Sequence, residues 1–72
     1  HMSDFATRLR ELRHSQNLTQ AQLAEKVGIC QITISRYENG DKPLYAKAVF
    51  LARFFNVSID YIMGITDDRL GH

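Results

Sequence analysis

The chain has 72 residues, 44% hydrophobic and 24% charged, with a formal net charge of +1. This composition excludes a disordered chain, and the length allows one modest core in a single domain. No apolar run approaches the roughly 20 residues that cross a bilayer and no signal segment is evident, which predicts a cytoplasmic protein with no membrane partner. His1 and Met2 are interpreted as a cloning scar and the start methionine.

The first predicted helix covers about residues 4 to 16. Phe5, Leu9 and Leu12 recur at i, i+4 and i+7, the spacing of one helical face. This face is expected to point inward, with the arginines of the helix outside it.

Two short helices are predicted next, separated by a sharp turn. Thr19 and Gln22 form a capping-box pattern ahead of a helix over about residues 20 to 27. Gly28 follows, where a left-handed or very tight backbone is needed to turn the chain. A third helix is expected over about residues 31 to 39.

Two further helices complete the predicted fold. Turn-forming residues at 40–43 precede a helix over about 44–55, and Ser58 is placed to cap a fifth helix that Gly64 ends. Residues 65–72 are expected to be a loose C-terminal tail. Since no strand-like alternation is present, the sequence predicts an all-α fold of five short helices.

The spacing of small and apolar residues between Gln20 and Tyr37 is typical of two helices that cross at a steep angle through a short turn. Such a corner leaves the outer face of the second helix free. In this arrangement Gln31 and Arg36 project away from the core on a helix about 10 to 12 Å wide, which fits the DNA major groove of roughly 12 Å.

Residues 9 to 64 resemble the helix-turn-helix domain of the phage repressor and Cro family, also called the XRE family. The stretches that carry the resemblance are "LTQAQLAEKVG", "ISRYENG" and "LARFFNVSIDYIMG". The resemblance implies a compact lambda-repressor-like domain over residues 3 to 64, with helices 2 and 3 forming the helix-turn-helix. It also implies a bacterial or phage-encoded transcriptional regulator, most often a repressor, that binds double-stranded DNA.

The resemblance and the side-chain chemistry together suggest three groups of site residues. Bases would be read by the exposed residues of helix 3, namely Gln31, Ile32, Thr33, Ser35 and Arg36. DNA phosphates would be contacted by Arg13, Thr19, Gln20, Asn39 and Lys42. The family pattern further implies an ion pair between Arg13 and Glu38, and an arginine fork can bond both a carboxylate and a phosphate.

The chemistry of three of these residues suits base edges. Gln31 can bond adenine with both ends of its amide, and Arg36 can bond guanine O6 and N7. Ile32 stands where the family commonly has a polar residue, and it can contact a thymine methyl group. Cys30 replaces the usual serine or threonine cap of helix 3, which predicts a weaker helix start.

Helix 4 carries more apolar surface than one inward face needs. Leu44, Ala48, Leu51 and Phe55 form the expected inward stripe, and further aromatic residues lie beside it. Because the family usually dimerises near helix 5, we expect a symmetric homodimer that uses some of Phe50, Phe54, Tyr61 and Ile65. The alternative is that these four residues complete the core. A two-fold dimer predicts an approximately palindromic operator.

Other classes of function are less well supported. The main alternative is an antitoxin or another protein-interaction module that uses the helix 4 and helix 5 surface. An enzyme or ligand sensor is not expected, because no nucleophile stands with a base and no metal-ligand spacing occurs. No cofactor, metal or small-molecule ligand is expected. A redox switch at Cys30 is not expected, because no second thiol is present to resolve it.

Overall fold

A computed structural model describes residues 4–71 of the chain. The described residues form five helices and no strand, which confirms the all-α prediction. The helices are α1 (Phe5–Ser15), α2 (Gln20–Val27), α3 (Gln31–Glu38), α4 (Tyr45–Phe55) and α5 (Ile59–Ile62). The residues interpreted as a cloning scar and start methionine, together with Ser3 and His72, lie outside the described residues.

The core draws on every helix. The largest fully buried side chains are Leu9, Leu23, Ile34, Leu51 and Ile62, one from each of α1 to α5. Burying such a side chain contributes about 1.5–3 kcal/mol. Phe5 also packs edge-to-face on Tyr37, with 5.5 Å between the ring centroids, which joins α1 to α3. The helices are therefore held by one shared core.

The predicted capping box at the start of α2 is confirmed. The Thr19 hydroxyl accepts from the Gln22 backbone N–H at 3.0 Å, and the Gln22 side-chain oxygen accepts from the Thr19 N–H at 2.8 Å. At the other end of α2, Gly28 has the left-handed conformation (φ +72°) and its N–H donates to the Ala24 carbonyl. These caps fix both ends of a helix of only eight residues.

The start of α4 differs from the prediction. The helix begins at Tyr45, and Leu44 is its N-cap with an extended backbone. Leu44 is therefore exposed, outside the inward stripe that Ala48, Leu51 and Phe55 do form. An N-cap residue leaves the helical path, so helical spacing does not fix the direction of its side chain.

Two arginines of α1 are buried, which corrects the expectation that they lie outside the core. Arg8 is 4% exposed and Arg13 is similarly buried. Arg8 donates to the Tyr61 carbonyl and Arg13 to the Glu38 carboxylate, both far along the chain, which compensates for the loss of water.

The expected loose tail is also corrected for residues 65–71, because they fold back onto the domain. The Ser58 N–H donates to the Arg69 carbonyl at 2.7 Å, and the Thr66 carbonyl accepts from Arg8 at 2.9 Å. Within residues 4–71, no helix has the length and apolar character needed to span a membrane.

Candidate nucleic-acid interface

The outer face of α3 carries the side chains predicted to read bases. Gln31 and Arg36 are exposed, and Ile32 is 68% exposed, while Thr33 and Ser35 are half-buried. On the opposite face, Ile34 is fully buried. The helix therefore has one apolar side in the core and one free side that combines an amide, a branched aliphatic group and a guanidinium.

The start of α3 lacks a side-chain cap, as predicted from Cys30. The backbone of Cys30 occupies the N-cap position, but its side chain accepts no hydrogen bond from the helix backbone. Its sulfur lies 3.3 Å from the Thr33 hydroxyl oxygen. That hydrogen bond is the main cause of a lowered pKa of the exposed thiol, and the nearby charge of Arg36 acts in the same direction.

The other end of α3 is tied to α1 by the ion pair expected between Arg13 and Glu38. Arg13 Nε donates to Glu38 Oε2 at 2.6 Å, and Arg13 Nη2 donates to Glu38 Oε1 at 2.9 Å. Arg13 Nη1 donates at 2.8 Å to the carbonyl of Leu18, which precedes α2. One buried guanidinium thereby joins α1, the α1–α2 connection and α3.

The pKa values reflect this pairing. Burial raises the pKa of Glu38, but hydrogen bonds from Arg13 and Gln20 and the charges of Arg13 and Arg10 together outweigh burial. The pKa of Glu38 therefore lies below its ordinary value. The same hydrogen bonding raises the pKa of Arg13. Both groups stay charged at neutral pH, as a buried ion pair requires.

Two further contacts to Glu38 were not predicted from the sequence. Gln20, the first residue of α2, donates through Nε2 to Glu38 Oε1 at 3.2 Å. Arg10 Nη2 donates to the Glu38 carbonyl at 2.8 Å. The contact of Arg10 could have been expected from its position three residues before Arg13. Residues at that spacing share one side of a helix, so Arg10 lies on the side that faces Glu38.

The other residues predicted to contact phosphates, Thr19, Asn39 and Lys42, use their side chains elsewhere than at the Glu38 carboxylate. The Thr19 hydroxyl is used in the α2 cap, and the Asn39 side-chain amide donates to the Ser35 carbonyl at 2.8 Å. Lys42 is exposed in the loop after α3. In the first turn of α2 the cap uses the Gln22 N–H, and the N–H groups of Gln20 and Ala21 precede the first hydrogen bond within the helix.

The four dimer candidates fall into two kinds. Phe50 and Ile65 are 54% and 62% exposed. Phe54 is half-buried against the core and packs edge-to-face on Phe55, with ring centroids 4.9 Å apart. Tyr61 is half-buried and has the guanidinium carbon of Arg8 3.9 Å from its ring centroid. Only Phe50 and Ile65 therefore present most of their side chain to solvent.

The fold and the exposed α3 define a helix-turn-helix domain. A family model described as helix-turn-helix matches residues 9–62. The chain belongs to this family, the phage repressor and Cro type of helix-turn-helix protein.

Three named relatives illustrate the range of the family. The chain is 49% identical over 65 residues to the uncharacterized HTH-type transcriptional regulator YobD of Bacillus subtilis, covering 89% of this chain and 58% of YobD. It is 36% identical over 61 residues to the HTH-type transcriptional activator BcrR of Enterococcus faecalis, covering 83% of this chain and 30% of BcrR. It is 37% identical over 57 residues to the antitoxin PezA of Streptococcus pneumoniae, covering 78% of this chain and 36% of PezA.

The chain thus spans 30% to 58% of the length of these three relatives. Among solved structures, the DNA-binding domain of the P22 C2 repressor superposes with a TM-score of 0.79 over 100% of this chain and 99% of that domain. Its sequence identity is 21%, so this likeness shows the fold alone.

Proposed function

We propose that the chain is a sequence-specific DNA-binding regulator of transcription that inserts α3 into the major groove. The observation that carries the proposal is the exposed outer face of α3, with Gln31, Ile32 and Arg36 directed away from the core. The buried contacts of Arg13 with Glu38 support it, because they hold the end of this helix in one orientation. Membership of a DNA-binding family supports it independently.

Base recognition is assigned to the α3 side chains by their hydrogen-bonding chemistry. Arg36 provides two donors for guanine O6 and N7, and Gln31 provides one donor and one acceptor for adenine. Ile32 has only apolar atoms to offer, so it selects for a thymine methyl group. Thr33 and Ser35 add short hydroxyl groups beside these readers.

Phosphate binding is assigned to groups around the start of α2 and the end of α3. Gln20 uses its amide nitrogen to donate to Glu38, but that nitrogen carries two hydrogens and the second can donate to a phosphate. The N-terminus of α2 adds backbone N–H groups, and Asn39 and Lys42 add donors near the other end of the site. Arg13 is paired with Glu38, so it supports this site by holding the carboxylate to which Gln20 is bonded.

We further propose that the protein acts in the cytoplasm as a two-fold dimer and represses by occupying a promoter. The exposed Phe50 and Ile65 support a dimer surface beside α5, with Tyr61 and Phe54 contributing their exposed edges. Two α3 helices in such a dimer would stand about 34 Å apart, one turn of DNA.

A protein-interaction role of the antitoxin kind is the second candidate. Its support is the similarity to PezA and the exposed apolar residues of the α4 region, Leu44, Tyr45 and Phe50. This role and DNA binding use different faces of the domain, so the two are separable by experiment.

Selection of bound sequences from a random DNA pool tests the proposed function. The expected result is an enriched, approximately palindromic site with half-sites about 10 base pairs apart, bound less tightly as salt increases. A matched selection with the Gln31→Ala/Arg36→Ala variant should lose the enriched bases. Failure of the wild-type protein to enrich any sequence would contradict the proposal. Co-purification of a small protein with wild type but not with Tyr45→Ser would favour the antitoxin role, because Tyr45 is exposed and lies outside the proposed dimer residues.

A further inference from the structure

The side chain of Arg8 makes contacts that the proposed DNA interface does not use. Arg8 Nη1 donates to the carbonyls of Tyr61 at 2.7 Å and Thr66 at 2.9 Å, and Nη2 donates to the carboxylate of Asp67. The guanidinium also lies over the Tyr61 ring. A single buried side chain of α1 therefore binds both the end of α5 and the segment that follows it.

That segment, residues 65–71, is here called the strap. It starts with the Ile65 N–H bonded to the Asp60 carbonyl at 2.8 Å and returns to the start of α5, where the Ser58 N–H donates to the Arg69 carbonyl at 2.7 Å. At its far end Gly71 lies against Ser58, and a Cβ there would come within 3.0 Å of the Ser58 Cβ. The first residue of the strap is therefore bonded to Asp60 in α5, and its last residues contact Ser58, the N-cap of α5.

The helix that the strap covers is too short to be ordered by itself. α5 has four residues, and an isolated helix of fewer than about 12 residues is marginal in water. Its order must come from its surroundings: Ile62 in the core, the Ser58 cap on the Tyr61 N–H, and the contacts of Arg8 and the strap. Removing Arg8 weakens the third of these supports, because the strap then keeps only its own hydrogen bonds with Ser58 and Asp60.

We propose that Arg8 is a latch that holds the strap on α5 and thereby fixes the face that carries Tyr61 and Ile65. Arg8 is then a positioning residue, acting on this face through α5 without forming part of it. Its effect on dimerisation rests on the proposed function, which assigns that face to the dimer. The latch itself is independent of that assignment.

The contacts of Arg8 differ in strength, which gives a graded test. The Asp67 carboxylate is mostly exposed, so its pairing with Arg8 is weakened by solvent and salt. The carbonyls of Tyr61 and Thr66 accept from the same buried nitrogen and do not depend on Asp67. Loss of Arg8 should therefore release the strap more completely than loss of the Asp67 charge.

Hydrogen exchange of backbone amides, measured on the full chain, tests the latch. In Arg8→Met, which keeps an apolar stem, the Ser58 and Ile65 amides should exchange at least about tenfold faster, while α3 amides such as that of Tyr37 change less than about twofold. Asp67→Asn should show a smaller increase at the same two amides.

Asp68→Asn is the matched control, because it removes the same charge one residue away. Asp68 caps the strap turn by accepting from the Leu70 N–H, which an asparagine oxygen can also do, and Arg8 bonds to Asp67 instead. This control should leave the Ser58 amide unchanged. The latch is overturned if Asp67→Asn and Asp68→Asn behave alike, or if Arg8→Met accelerates exchange equally in α3 and the strap.

Sedimentation equilibrium and half-site DNA binding test the consequence for the dimer. Arg8→Met should weaken dimerisation by at least about tenfold and change affinity for a single half-site by less than about twofold. Wild-type protein that stays monomeric would contradict the proposed dimer, and the exchange data would still decide on the latch. The positioning role would be overturned if Arg8→Met accelerates exchange of the Ser58 and Ile65 amides but leaves the dimer dissociation constant unchanged.

Discussion

Arg13 and Glu38 meet through two parallel hydrogen bonds, at 2.6 and 2.9 Å, in a buried position between α1 and α3. The contact joins the last turn of one helix to the last residue of the other. Because α3 has only eight residues and no side-chain cap at its start, this contact at its far end limits how the helix can tilt. The pair is thus the main polar support of the proposed recognition helix.

Breaking the pair should strongly destabilise the domain. Arg13→Met leaves the Glu38 carboxylate buried without its bidentate partner, and removing one member of a buried pair costs about 3–5 kcal/mol. Urea unfolding followed by circular dichroism should show this loss. Arg53→Met is the matched control, because Arg53 is an exposed residue of α4, and it should change stability by less than about 0.5 kcal/mol. Equal small effects of both variants would contradict the role of the pair.

The pair should also make stability depend on pH in a defined direction. The pKa of folded Glu38 lies below the ordinary value of 4.5, so the stabilisation is complete above about pH 4.5 and is lost as pH falls through the folded pKa. Urea unfolding at several acidic pH values should show a steeper loss for wild type than for Glu38→Gln. In Arg13→Met, burial should dominate and raise the pKa of Glu38. The contribution of Glu38 to the free energy of unfolding should then decline as pH rises through this raised pKa. Parallel curves for wild type and Glu38→Gln would refute this account.

Replacing Cys30 with serine should stabilise the domain. The backbone at Cys30 already has N-cap geometry, and a serine hydroxyl accepts from the helix backbone where the thiol does not. The expected gain is about 0.5–1 kcal/mol in the free energy of unfolding, measured by thermal or urea unfolding. Cys30→Ala serves as the control, since it removes the sulfur without adding a cap. A serine variant no more stable than the alanine variant would show that the missing cap does not limit stability.

The proposed base and phosphate contacts should respond differently to substitution. Arg36→Ala should cost about 1–3 kcal/mol on the selected operator and relax the preference at one base pair. Gln20→Ala should weaken operator and random DNA alike and reduce the dependence of affinity on salt. Fluorescence anisotropy on both DNAs at several salt concentrations separates the two effects. The assignment fails if both variants lose operator and random binding in equal measure.

Local signals in the sequence predicted much of the fold. The Thr19 capping box and the left-handed Gly28 depend on neighbouring residues, so the sequence alone locates both. The ion pair of Arg13 with Glu38 was predicted only through the family resemblance, because its members stand 25 residues apart. The exposed face of α3 followed from the helix-turn-helix spacing.

The features that were missed depend on contacts between distant segments. Arg8 was predicted to lie outside the inward face, although its position three residues after Phe5 and four before Leu12 is compatible with that face. Its charge argued for an outward position, and its acceptors in residues 61–67 became visible only in three dimensions. The strap was missed for the same reason, since its hydrogen bonds return to α5 and have no pattern in the sequence.

A nuclear magnetic resonance titration with the selected operator tests the central claim most directly. If α3 enters the major groove, the largest shifts should occur at the Gln31, Ile32 and Arg36 amides and at the start of α2, with small changes along α4. The same titration with Arg36→Ala should lose the shifts caused by the operator bases. Shifts concentrated on the Phe50 face of α4, with α3 unchanged at saturating DNA, would contradict the account.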